Sequence, residues 1–366
     1  MLRRWTTWAL LAAIILAIAF VGAVGSATTD RVIIDMLIKI IMVLGLSIFI
    51  GNSGVLSFGH ASFAVIGAYS AAWFTLPLTV KKIFLPKLPA FILATQVGLP
   101  AGAAIGMTFA ALSAALIGVA VMRLSGIAAS IATLAWLVIV NTFLANADWL
   151  TKGTSSLIGL PLVVDLKTAT IGALIALSVA FAFKYSRYGL MLQASREDEV
   201  AAAASGISVQ ALRFVSFVLS AMLLALGGVL QGHFLGMLTI GQFYLDFTFL
   251  TLAMLVMGGI RSLSGAVVGV VVVSVVSEAL RLAASGFSLG AIDVPALPGV
   301  REIGLAFIML CVLLLRPRGL MGDRELGFGG GPPAKRSASK SDSIETGASY
   351  PKGSARSQAV PLARNT

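Results

Sequence analysis

The sequence predicts an all-α, polytopic membrane helix bundle of about ten transmembrane helices, and three observations carry that prediction. Apolar residues make up 58% of the 366-residue chain and charged residues only 11%, against about 45–50% and about 25% in soluble domains; mean hydropathy is +0.99. Apolar blocks recur from Trp5 to Leu315, each near the roughly 20 residues that a spanning helix requires. Glycine, proline or charged residues bound every block.

The first block follows Met1-Leu2-Arg3-Arg4 and runs to Gly25. It reads as a signal peptide or as a first spanning helix, and its length favours the uncleaved helix because it exceeds a typical signal-peptide core. Further spans are predicted at 33–50, 61–76, 97–121, 126–147, 168–183, 212–232, 246–260, 264–282 and 302–315. With the amino terminus in the cytoplasm, alternation places Arg123, the segment Lys184–Arg213, Arg261, Arg316 and Arg318 inside, as the positive-inside rule requires. Lys81, Lys82, Lys87, Lys152 and Lys167 then fall outside. The span at 97–121 carries Gly98, Gly102, Gly106, Ala110, Ala114 and Gly118 at every fourth position, a stripe that lets two helix backbones approach closely. It is read as packing within the bundle or, less simply, as a subunit interface. No internal repeat is visible. The membrane domain is assigned to 1–322; from 323 to 366 the chain turns to Gly, Pro, Ser and Lys and reads as a disordered cytoplasmic tail.

Charge and composition narrow the chemistry. The net charge of +11 divides into +8 before residue 323 and +3 from 323 onward, an excess that suits loops facing anionic membrane lipid and not nucleic acid. One cysteine, Cys311, excludes a disulfide framework and a thiolate metal cage. Two histidines on well separated segments leave few candidates for metal or triad chemistry, and the chain has no phosphate loop, zinc pair or nucleophile elbow. No metal site, no bound cofactor and no enzyme activity are expected. Ionisable residues at membrane depth come as Asp35 with Lys39 and Glu278 with Arg281, spacings that suit self-neutralised pairs.

Two segments carry polar chemistry. Gly51-Asn52-Ser53-Gly54-Val55-Leu56-Ser57-Phe58-Gly59-His60 places three glycines and small polar side chains between apolar blocks. Glycine weakens a lipid-facing helix, and broken helices at membrane depth are tolerated where they line a cavity or are buried in protein. Gly51, Asn52, Ser53, Gly54, Ser57 and His60 are therefore candidates for a substrate pathway; a tight turn between spans is the plainer reading. In the longest internal polar segment, Arg196-Glu197-Asp198-Glu199 precedes an alanine run ending at Gly206. That pattern predicts a helix with acidic residues at its start and a glycine stop, projecting as a docking knob or simply solvated.

These strings resemble the LivM-type permease subunit of branched-chain amino acid ABC transporters over nearly the whole chain to about Gly322. The resemblance rests on Gly54 to His60 and on to Tyr69, Ser186-Arg187-Tyr188-Gly189 with Arg196 to Glu199 and Ala201-Ala202 to Gly206-Ile207, Gly258 to Gly265, and Arg316-Pro317-Arg318-Gly319-Leu320. It implies that Arg196, Glu197, Asp198, Glu199, Ala201, Ala202 and Gly206 form a short cytoplasmic coupling helix docking on an ATPase. Val200 stands where the family's glutamate is expected, and Glu199 lies one position early. It implies a bacterial inner-membrane protein with cytoplasmic termini, a LivH-like second permease, two ABC ATPase subunits that handle ATP and Mg, and a periplasmic substrate-binding protein. Lys81–Lys87 is a candidate surface for that binding protein. The implied function is import of leucine, isoleucine and valine, with a urea or short-amide permease as the near alternative. A nucleotide-independent secondary transporter and a structural or receptor subunit are the other classes.

Overall fold

The computed structural model describes residues 2–124, 126–284, 287–289, 292–294, 299–316, 318–322, 325 and 326. Its helices are α1 (Leu2–Val24), α2 (Ala27–Leu46), α3 (Ala61–Thr75), α4 (Leu78–Phe84), α5 (Ala90–Ala94), α6 (Leu99–Val121), α7 (Gly126–Asn146) and α8 (Asp148–Thr151). They continue as α9 (Leu166–Tyr185), α10 (Arg187–Glu197), α11 (Glu199–Ala204), α12 (Val209–Leu235), α13 (Leu245–Gly258), α14 (Leu263–Ala284) and α15 (Val300–Leu315). Two antiparallel pairs, Leu157–Ile158 with Met237–Leu238 and Phe287–Leu289 with Ile292–Val294, are the strands among the described residues.

All ten predicted spans are helices, although α3, α13 and α15 have only 15, 14 and 16 residues. Among the described residues eight helical spans are long and apolar enough to cross a membrane, or nine if α3 and α4, bent by 117°, count as one. The chain from Gly54 to His60 precedes α3 without helical structure. Lys81 of α4, expected on an outer surface, is instead fully buried. Its ammonium donates to the carbonyls of Ile92 (3.1 Å) and Thr95, which satisfies a charge that an apolar setting would otherwise reject. Lys82 and Lys87 remain exposed.

The helix starts follow local chemistry. Ser26 accepts from the Thr29 amide ahead of α2 (3.3 Å), with Asp30 in the first turn; Asp165 accepts from the amide and hydroxyl of Thr168 ahead of α9 (2.9 and 2.7 Å). Those bonds hold the Asp165 carboxyl below its ordinary value. Both are N-caps that occupy otherwise unpaired amides.

α2 is the central helix, with 89% of its spanning window buried against α12, α9 and α14. α1, α6 and α7 lie outside, with only 28% of each window buried; Leu112, Leu116, Ile127, Ile131 and Phe143 form exposed apolar surface suited to lipid. The small-residue stripe of α6 faces inward, as packing within the bundle requires. A Cβ on Gly106 would stand 2.7 Å from the Gly67 carbonyl of α3, and one on Gly102 2.4 Å from Thr75.

The described bundle falls within one compact unit, Met1–Phe328. Beyond the boundary predicted at 322, Glu325 and Leu326 hydrogen-bond to Ser264 at the start of α14. The predicted disorder of the remaining tail lies outside the described residues.

Candidate functional site

The two polar segments singled out by sequence meet at one end of the bundle. α2 closes in a wider turn, a π-helix over Ser47–Gly51, which disturbs the regular backbone ladder. Local side chains take up its carbonyls. Asn52 Nδ2 donates to Ile48 O (2.8 Å), Ser53 Oγ to Phe49 O (2.7 Å) and Ser47 Oγ to Leu44 O (2.7 Å). Gly51 touches the turn between α13 and α14, where an added Cβ would lie 2.7 Å from Ile260 O.

From Gly54 (φ 74°) the chain runs without helix back along α7. The Phe58 amide donates to Thr133 Oγ1 (3.2 Å), and Ser130 Oγ to Leu56 O (2.7 Å). His60 starts α3 inside a ring of Phe49, Phe63 and Phe217, with centroids 5.1–5.9 Å away. Its Nδ1 pairs with Ser57 Oγ at 2.6 Å, and Nε2 has no hydrogen-bond partner. Asn52, Ser53, Ser57 and His60 are all buried, so this is a broken helix buried in protein, with its polar atoms turned largely to its own segment.

α10 clamps that break. Gln193 Nε2 donates to Asn52 Oδ1 (3.0 Å) and to Lys184 O (2.9 Å), and the Arg196 guanidinium donates to Gly51 O. Glu197 bridges Arg196 (3.2 Å) and Arg261 (3.3 Å). The predicted helix over 196–206 is in fact two. α10 ends at Glu197, Asp198 is extended and caps α11 by accepting from the Ala201 amide (2.9 Å), and α11 stops at Gly206 (φ 81°). An aspartate favours the N-cap over a helix interior, so the chain breaks there.

Glu199 anchors α11 to α12 through a two-pronged bond to Arg213 (3.0 and 2.8 Å). Ala202 is buried, whereas Val200 is 80% exposed and Ala201, Ala203, Ala204 and Gly206 are also open. α11 is thus a small, firmly rooted apolar knob.

The carboxy-terminal motif completes this end. Leu320 and Met321 donate backbone bonds to Met257 O (2.7 Å) and Gly258 O (3.0 Å). Glu325 then reaches the start of α14, where its carboxylate accepts from the amides of Leu263 (2.9 Å) and Ser264 (3.0 Å), from the hydroxyls of Ser264 (2.7 Å) and Ser262 (3.1 Å), and from Lys184. Lys184 also donates to Arg261 O (2.6 Å). Burial alone would raise the Glu325 carboxyl, but the Lys184 charge and these hydrogen bonds outweigh it and hold it below its ordinary value.

Glu325, Lys184, Gln193 and Arg213 are absent from the sequence-derived site. Only Lys184 and Arg213 carried a sequence signal, as positive charges flanking the polar loop. The charge pairs Asp35–Lys39 and Glu278–Arg281 form as expected, at the opposite end of the bundle. Among the described residues no three His, Cys, Asp or Glu side chains cluster as metal ligands.

Four motifs distant in sequence therefore converge on one braced end of the bundle. A family model described as branched-chain amino acid transport system / permease component matches residues 28–314. The chain belongs to that family. The high-affinity branched-chain amino acid transport system permease protein LivM of Escherichia coli (strain K12) is 26% identical over 356 residues, covering 85% of this chain and 74% of LivM. The probable branched-chain amino acid transport permease protein LivH of Methanocaldococcus jannaschii is 27% identical, covering 77% of this chain and 88% of its own length. LivH of Escherichia coli (strain K12) is 30% identical over 159 residues, 43% of this chain and 46% of LivH. No solved structure matches. The chain is a multi-pass, LivM-type permease, and its relatives are transport proteins rather than enzymes.

Proposed function

We propose that this permease is one membrane half of an ATP-driven importer for leucine, isoleucine and valine. It works beside a LivH-like permease, two ATPase subunits that bind ATP and Mg, and a periplasmic substrate-binding protein, in a bacterial inner membrane. The amino terminus, the docking end and the tail face the cytoplasm; Arg123, Lys184, Arg187, Arg196, Arg213 and Arg261 gather toward that side of the chain's alternation.

The observation that carries this reading is the exposed α11 knob, rooted by Glu199 on Arg213 and, through α10, on the break at Gly51–Gly54. A short helix set in a partner's groove is an ordinary docking mode. Closure of the ATPases pushes α11, and the push reaches the end of the central helix α2 through Arg196 and Gln193.

Gly206 tests the docking. Its φ of 81° strains any other residue, and no atom lies within 4 Å of an added Cβ. Gly206→Ala and Gly206→Trp therefore carry the same backbone strain, about 1 kcal/mol, and only tryptophan adds bulk at the docking face. The tryptophan variant is expected to insert and melt like the alanine variant while ATP-dependent leucine uptake in proteoliposomes falls at least tenfold below it. Equal uptake by the two removes the docking assignment.

The solute passes beside Asn52, Ser53 and Ser57 when the local bonds of these side chains open. Alanine at all three lowers thermal stability, since each lost hydrogen bond costs about 1 kcal/mol, and raises the leucine concentration needed for half-maximal uptake several-fold. A loss of stability with unchanged uptake kinetics removes these residues from the pathway.

A further inference from the structure

At the end of the bundle opposite the docking knob, α2, α14, the end of α12 and the segment before α9 line a half-open cavity of about 640 Å³, within the range of small-molecule sites. Its lining joins charges of both signs to an apolar wall of Leu162, Val164, Phe234 and Leu235. Two of the charged pairs are internally satisfied, Asp35 with Lys39 and Glu278 with Arg281. Asp30 and Arg31, which also line the cavity, make no ion pair among the described residues. Asp165 also lines the cavity, but its carboxylate is taken up by the amide and hydroxyl of Thr168, so Asp30 and Arg31 are the acid and the base left to face a ligand.

A second observation points the same way. Hydroxyls in the spanning helices of this chain habitually donate to the carbonyl one turn back, as Ser70, Thr170, Ser178, Thr248 and Thr251 do. Ser274 of α14 lines the cavity, is 8% exposed, and its hydroxyl has no partner. An unmet hydroxyl in an apolar bundle is costly and calls for an explanation such as a ligand.

We propose that this cavity is an entry site for a free zwitterionic amino acid with an aliphatic side chain. Arg31 takes the carboxylate, Asp30 the ammonium, Ser274 supplies a neutral hydrogen bond, and the Leu162–Leu235 wall covers the side chain. The inference rests on the importer reading above, and places the solute in this subunit after its release from the binding protein. Each ligand charge is matched by one unpaired side chain, so removing either charge from the ligand strands a protein charge.

The test is leucine binding to the assembled membrane complex in phosphatidylglycerol nanodiscs, read by saturation-transfer NMR, followed by uptake in liposomes of the same complex once the binding protein is added. Leucine is expected to bind, and 4-methylpentanoate and 3-methylbutylamine, each lacking one charge, to bind at least tenfold more weakly. Ser274→Ala and Arg31→Gln should each weaken leucine roughly tenfold, as loss of a hydrogen bond to a charged group does; Ser274→Thr should restore it. Native-like binding in both loss variants, with normal leucine uptake, overturns the entry site and leaves the importer reading intact. Absence of leucine uptake by the native complex overturns both. Leucine binding that disappears when phosphatidylethanolamine is included identifies a lipid headgroup as the occupant and overturns the entry site.

Discussion

Replacing Glu325 with alanine is expected to cost the permease about 3 kcal/mol of stability, the largest loss for any single change at the docking end. The carboxylate is only 18% exposed and Lys184 11%, so its removal leaves the first amides of α14 without an acceptor and the Lys184 ammonium with no counter-charge, held only by the Arg261 carbonyl. Removing one partner of a buried ion pair costs about 3–5 kcal/mol, mostly through the charge left behind. Lys184→Met on the Glu325→Ala background should therefore recover much of the loss. The check is a double-mutant cycle on thermal unfolding in mild detergent. Additive losses would mean that the pair is not coupled.

The pH dependence has a definite sign. The folded-state pKa of Glu325 lies below its ordinary 4.5. A depressed carboxyl contributes stability that is fully present above the unfolded-state value and lost as pH falls through the folded-state one. The native chain should therefore exceed Glu325→Gln in stability at pH 7, with the gap closing below about pH 4.5. A gap that widens in acid would contradict the geometry.

The reasons Glu325 escaped a reading of the sequence are physical. The spans were legible because lipid demands long apolar runs, and the 3.6-residue period needs no partner to be recognised. The inward stripe of α6 was legible for the same reason, since small residues every fourth position serve only a close neighbour. Glu325, by contrast, stands among charged and glycine-rich residues that resemble a solvated tail. Its role depends on α14 presenting free amides at a distance of sixty residues in sequence, which no local pattern encodes. Lys81 misled in the opposite way: a lysine between proline turns reads as solvated, and only the fold brings the carbonyls of Ile92 and Thr95 to it. At the candidate site the sequence identified both polar segments but not their contact. Arg196 was assigned to docking and Gly51 to the solute pathway, and one hydrogen bond joins them. The break at Asp198 was readable in principle, because an aspartate three residues before Ala201 matches an N-cap, but the surrounding alanine run argued for one continuous helix.

Arg213 is expected to matter for coupling far more than for stability, and that contrast with Glu325 separates transmission from folding. The Arg213 side chain is 7% exposed, whereas its partner Glu199 is 46% exposed. Arg213→Met keeps the volume on α12, and the released Glu199 carboxylate passes to water, so no buried charge is stranded and the stability loss is only about 1–2 kcal/mol. What is lost is the rigid root of α11. Uptake should fall more than tenfold, with ATP hydrolysis continuing, while amides of residues 199–206 exchange hydrogen faster. Arg213→Lys should recover little, because a single ammonium lacks the planar fork that engages both oxygens of Glu199. Retention of near-native uptake in Arg213→Met despite faster exchange would show that α11 transmits force without this anchor. The path would then run through α10 alone, where Arg196 and Gln193 grip the end of α2, and the same measurement on Gln193→Ala would have to show the loss instead.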